Sequence, residues 1–234
     1  MSLPLFFNHT TALPTGFLTL EEDTSRHVAQ VLRMKAGEQL QLTDGAGHLL
    51  TTEIVSEHKK SIQVKVLSAT QQPAPQHRIT IAISLIKNAG RFEWFLEKAT
   101  EIGVTGIIPM ICERTEKQHF RLDRMKNILM SAMLQSQQVW LPRMETPQKF
   151  REVIAQHPAQ KKYIAHCLEG EKMNLPERAD QPTDALILIG PEGDFTSEEI
   201  SWALEHQYDP VSLGNNRLRT ETAGIAAAVL LASG

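Results

Sequence analysis

At 234 residues, 41% hydrophobic and 22% charged, the chain has material for one domain or two and an ordinary apolar share for a folded globular protein. Two cysteines are too few for a disulfide framework, and no apolar run is long enough to span a membrane, so a stapled secreted module and an integral membrane helix are both excluded. A net charge of −3 argues against a uniformly basic nucleic-acid binder, yet residues 74–151 hold 12 Lys and Arg against 7 Asp and Glu, enough for a local basic face.

In chain order, Ser25–Arg33 carries Val28, Val31 and Leu32 at helical spacing. Gln39–Leu42, Leu49–Val55 and Ile62–Leu67 are strand candidates, and Asp44-Gly45-Ala46-Gly47 between the first two is a hairpin signal. Residues 1–70 therefore read as a small β-rich domain. The polar, proline-bearing stretch 71–77 reads as a linker. Residues 78–234 form the second domain, where the pattern changes.

Ile79–Leu85 is a nearly unbroken apolar, β-branched run, as expected of a strand buried on both faces. Arg91–Ile102 is an amphipathic helix stopped by Gly103. Ile107–Ile111 is the next strand, and Pro109 within it predicts an edge position or a strand end. Asp123–Gln138 is a second amphipathic helix. Tyr163–Cys167, Leu186–Ile189 and Val211–Leu213 are later strands. Strands alternating with helices predict an α/β domain with a mostly parallel sheet.

The last forty residues carry the chemistry. Leu186–Ile189 and Val211–Leu213 each end in a glycine-bearing turn, Gly190-Pro191-Glu192-Gly193 and Gly214-Asn215-Asn216, the plan of a ligand site at the carboxyl ends of parallel strands. Thr196 and Glu199 form a capping box for the following helix. Arg217, Arg219 and Glu221 crowd the mouth of the apolar helix Ala223–Leu231. No Walker A sequence, strand-linked GxGxxG, GxSxG elbow or metal-ligand spacing appears, so no NTPase, dinucleotide oxidoreductase, serine hydrolase or metal site is expected.

GPEGDFTSEEI followed by SLGNNRLRTETA resembles the signature of the RsmE-like 16S ribosomal RNA uridine-N3 methyltransferases of the SPOUT superfamily. SLIKNAGRFEWFLEKATEIGV, the Glu113-Arg114-Thr115 element and RHVAQVLRMKAGE resemble further elements of that family. The chain departs from the pattern at Asp194, where a second glycine is usual, and at Leu134–Gln138, which lacks the family's Glu and Arg.

The resemblance implies a PUA-like β-barrel for RNA ahead of a knotted methyltransferase domain. It also implies S-adenosyl-L-methionine as methyl donor, 16S ribosomal RNA of the small subunit as partner, a homodimer and a cytoplasmic location. It assigns the cofactor to Leu188, Gly190, Pro191, Glu192, Gly193, Leu213, Gly214, Asn216, Leu218, Thr220, Thr222 and Ala223. RNA contacts are expected from Arg26, His27, Arg33, Lys35, Lys87, Arg91 and Arg114. Arg219 is the candidate catalytic cation, and Glu221 is either the base or the residue that holds Arg219. A knotted enzyme acting on another RNA position and a non-catalytic ribosome-assembly factor are the alternatives.

Overall fold

The computed structural model describes residues 3–9, 15–56, 58, 60–116, 120–175 and 184–232. They fall into two compact units, one of residues 1–74 with 133–141, the other of 75–132 with 142–234.

The first unit contains β1 (Leu5–Phe7), β2 (Phe17–Thr19), α1 (Glu22–Arg26), β3 (Gln39–Thr43), β4 (His48–Ser56) and β5 (Gln63–Gln71). They form a five-stranded sheet in the order β1-β3-β4-β5-β2, antiparallel except for the parallel β1–β3 pair. Strand alternation sends Leu40 and Leu42 of β3 and Leu50, Thr52 and Ile54 of β4 inward. Leu20, Val28, Ile62 and Val64 complete that core. In the hairpin, Gly45 and Gly47 hold φ of 73° and 89°, and Asp44 accepts from the Ala46 amide at 2.8 Å.

The helix expected over Ser25–Arg33 starts earlier, at Glu22, and is irregular. After α1 the chain widens into a π-helical turn, His27–Val31, closed by Leu32 N–H donating to the His27 carbonyl at 3.0 Å. Arg33 at φ 56° then ends it. This turn keeps Val28 fully buried while Val31 stays 66% exposed.

The second unit is built on a wholly parallel sheet. Its elements are β6 (Arg78–Ser84), α2 (Ala89–Ile102), β7 (Gly106–Ile111), α3 (Leu122–Gln135), β8 (Arg143–Met144), β9 (Gln148–Lys149), α4 (Phe150–Gln156), β10 (Lys161–Ala165), β11 (Met173–Asn174), β12 (Asp184–Ile189), α5 (Ser197–Glu205), β13 (Asp209–Ser212) and α6 (Thr220–Ala232). The strand order is β11-β13-β10-β12-β6-β7-β8, with β9 also on β7. β6 lies between β12 and β7, which explains its nearly unbroken apolar run. α2 starts on Asn88, whose side chain accepts from the Arg91 amide at 3.3 Å, and ends at Gly103, φ 99°.

The expectation for Pro109 needs correction. β7 is paired on both sides, so it is not an edge strand. Its outer neighbour is broken: β8 meets Gly106 and Ile107, and β9 meets Met110 and Ile111. Ile107 accepts from Glu145 on that outer side, whereas Met110 accepts from Leu85 on the inner side. By alternation the Pro109 nitrogen faces the break, where no ladder bond is lost.

α6 packs on α2. It is apolar nearly all round but buried along one face, Thr220, Gly224, Ala227, Ala228 and Leu231, while Val229 is 44% exposed. Gly224 permits the close approach: a Cβ there would stand 2.6 Å from Cε2 of Phe95.

Candidate functional site

The neighbouring strands β13, β10 and β12 end side by side, and their three following turns are tied to one another. The turn after β12, Gly190–Asp194, reverses through Asp194 at φ 62°, with its amide donating to the Pro191 carbonyl at 2.9 Å. A left-handed residue is cheapest as glycine, which accounts for the usual residue here. Asp194 offsets the cost with its carboxylate, which accepts from the amides of Phe195 and of Cys167, the latter in the turn after β10, both at 2.8 Å. Thr220 Oγ donates to the Gly190 carbonyl at 3.0 Å, and Arg217 to the Glu192 carbonyl at 3.4 Å, joining the turn after β13 to the same frame.

We expect Asp194→Gly to keep folding stability within about 1 kcal/mol, because relief of backbone strain offsets two lost hydrogen bonds. Asp194→Ala keeps the strain and loses the bonds, and should cost about 2 kcal/mol. Urea midpoints at unchanged m-value measure both; equal midpoints for the alanine variant and the parent would remove the tie as a stabilising element.

Two adjoining cavities open among these turns. The larger, about 360 Å³, is lined by Ala165, His166, Cys167, Lys172, Val211–Leu218 and Ala223. The smaller, about 60 Å³, adds Ile189–Glu192, Asp194 and Thr220 and shares Ala165, Cys167, Arg217, Leu218 and Ala223 with the first. Burial, reinforced by the Lys172 charge, holds the His166 imidazole below its ordinary value, and burial with the nearby Asp194 carboxylate pushes the Cys167 thiol up. The wall is therefore neutral at these two positions at neutral pH.

Of the residues expected to hold a cofactor, Leu213, Gly214, Asn216, Leu218 and Ala223 line the larger cavity and Gly190, Pro191, Glu192 and Thr220 the smaller. Leu188 lies in the core beneath, fully buried. Gly193 faces the Arg114 side chain, and Thr222 is exposed outside both cavities. Sequence reasoning missed the β10 turn, Ala165 to Cys167, and Lys172. The sequence predicts a strand over Tyr163–Cys167, but the turn after it lacks the glycines that mark the other two.

The expected RNA contacts separate into groups. Arg26, His27, Arg33 and Lys35 occupy exposed positions of the first unit, Arg26 paired with Glu22 and Asp23, and His27 edge-on to Phe6. Arg114 is spent within the site: its guanidinium donates to the Gly193 carbonyl at 2.7 Å and to that of Phe195 at 3.4 Å. Lys87 and Arg91 line an open cleft of about 480 Å³ with Asn88 and Glu192. Arg219 is exposed and forms no ion pair with Glu221; the guanidinium near Glu221 belongs to Arg91, Nε to Oε1 3.6 Å. No group of side chains that could hold a metal ion occurs among the described residues, and no helix among them is long and apolar enough to cross a membrane.

Residues 72–232 match the family model of the RNA methyltransferase domain, and residues 20–67 that of the RNA methyltransferase PUA domain. Ribosomal RNA small subunit methyltransferase E of Synechocystis is 28% identical, covering 88% of this chain and 69% of the relative. The protein of the same name from Rickettsia conorii is 26% identical, covering 86% and 83%. Among solved structures, a Porphyromonas gingivalis protein described as a probable rRNA-methyltransferase superposes with a TM-score of 0.88 at 38% identity, covering 97% of this chain and 95% of its own. Ribosomal RNA small subunit methyltransferase E of Neisseria gonorrhoeae, bound to S-adenosyl methionine, gives 0.87 at 29% identity over 97% and 95%. With the three tied turns falling inside the matched catalytic region and a PUA domain ahead of it, the chain belongs to the RNA methyltransferase family.

Proposed function

We propose that the chain transfers a methyl group to N3 of a uridine in 16S ribosomal RNA of the small subunit, in the cytoplasm. The carrying observation is the 360 Å³ cavity walled by three cross-tied turns, one of them leading into LRTETA. Its volume suits a nucleoside-sized ligand, and its backbone-rich wall suits an adenine edge. S-adenosylmethionine, when bound there, supplies the methyl group.

The remaining work falls to the protein. The reaction breaks a sulfur–methyl bond, forms an N3–methyl bond and sends the N3 proton to solvent or a base. In this reading the turns at Gly190–Gly193 and Leu213–Leu218 orient the donor, which turns a bimolecular encounter into an aligned one. Arg219, exposed one residue before α6, places a fixed positive charge where the uracil oxygens gain negative charge. Arg26, Arg33 and Lys35 present exposed positive charge, and His27 an exposed ring, to RNA. The partly exposed apolar face of α6 around Val229 fits a homodimer contact.

The test is transfer of labelled methyl from S-adenosylmethionine to small subunits from a strain lacking this gene, followed by mass mapping. Label at a uridine N3 of 16S RNA is the expected outcome. Label at a ribose hydroxyl or in tRNA would replace the substrate. Cofactor binding too weak to measure would favour an assembly factor without catalysis.

A further inference from the structure

Glu221 is 6% exposed, at the first turn of α6. Its Oε1 stands 3.6 Å from Nε of Arg91, and its Oε2 is buried with no hydrogen-bond partner. A carboxylate withdrawn from water is costly unless a cation compensates it, and the cation here is on α2. The geometry bears on whether Glu221 can take a proton from a substrate. Oε2 is shut away from solvent and Oε1 faces Arg91, so neither oxygen is presented to an incoming base.

Arg91 is presented. Its side chain is 42% exposed and lines the open cleft with Lys87, Asn88 and Glu192. Glu192 belongs to the turn that also lines the smaller cavity, so the cleft adjoins the methyl-donor side of the site. Lys87 turns toward Glu116, 3.0 Å away. Arg91 donates its backbone amide to Asn88 at 3.3 Å, and its Nε pairs with Glu221 at 3.6 Å. That leaves the two terminal nitrogens of the guanidinium as donors toward the cleft.

We infer that this cleft receives the acceptor uracil and that Arg91, aimed by Glu221, meets a carbonyl oxygen flanking N3. Glu221 is then a positioning residue rather than the base. The inference rests on the methyl-transfer reading above. Loss of the N3 proton places negative charge on the flanking oxygens, and a guanidinium held there favours that anion.

The test uses the full-length protein and the variants Arg91→Ala, Glu221→Gln and the double. Three quantities are read: affinity for a uridine-containing RNA hairpin with S-adenosylhomocysteine present, affinity for S-adenosylmethionine, and the pH profile of transfer to small subunits. Arg91→Ala should weaken hairpin binding about tenfold and transfer about a hundredfold; Glu221→Gln should lower transfer about tenfold. The double variant should be no worse than Arg91→Ala, with donor affinity within about threefold throughout. The rising limb of the rate profile should move to higher pH in both single variants, because the N3 proton becomes harder to lose. Losses that multiply, or Glu221→Gln with an unmoved profile, would overturn the inference. Should the parent bind the donor yet methylate no uridine, the proposed function fails instead. The hairpin affinities then decide the pair alone: coupled losses keep it, independent losses overturn it.

Discussion

Replacing Arg219 by alanine should lower methyl transfer to small subunits by about a hundredfold or more, while affinity for S-adenosylmethionine stays within about threefold. The separation follows from where the residue stands. Arg219 lines neither cavity, and its guanidinium makes no hydrogen bond or ion pair to a described residue. Only its backbone is engaged, the carbonyl accepting from the Ala223 amide at 2.7 Å as α6 begins. Truncating the side chain therefore leaves the turn intact and removes a charge that matters only when the acceptor ionises. Arg219→Lys should recover part of the rate, since an ammonium keeps the charge but loses the planar fork. Single-turnover transfer and calorimetric titration of the donor are the two measurements. A parallel fall in both would make Arg219 part of the donor-binding loop and end its catalytic assignment.

Gly224→Val should lower the melting temperature by about 6–12 °C, corresponding to about 3 kcal/mol in a chain of this size. A Cβ at Gly224 would stand 2.6 Å and 2.9 Å from two ring carbons of Phe95 and 3.0 Å from Cδ1 of Ile83. Both neighbours are fully buried, so neither can swing into solvent. α6 would have to back away from α2, and Thr220, Glu221 and Ala223 would go with it. Gly224→Ala sets about 1 kcal/mol of helix propensity against the same overlap and should still lose stability, by less. Circular dichroism melts compare the three proteins; a higher melting temperature for the alanine variant would show that Phe95 yields and that the close approach is not a requirement.

The large elements were legible because their periodicity is strong. β6 and β12 read as buried strands, and Gly103 marked the end of α2, while its start at Asn88 needed coordinates. The two-residue strands β8 and β9 and the seven-residue α4 were not legible, being too short to show a period. Pro109 misled because the rule concerns a missing N–H, and only the pairing partners reveal that this N–H would have met a gap. In the site, glycine-rich turns were visible and the turn after β10 was not, since Ala165, His166 and Cys167 announce nothing by type. The Arg91–Glu221 contact joins residues 130 positions apart, beyond any local pattern; proximity in sequence had paired Glu221 with Arg219 instead. Asp194 could be noticed as a departure, but its compensating bonds to Phe195 and Cys167 needed coordinates.

The ties among the three turns have a kinetic consequence. The bonds from Cys167 to Asp194, from Arg217 to Glu192 and from Thr220 to Gly190 link segments 27, 25 and 30 residues apart. Their conformational entropy is lost when the chain folds, not when a small molecule arrives. A ligand entering the cavity meets walls already at rest, so differences in affinity among donor analogues should appear as residence times, with arrival rates nearly constant across the series.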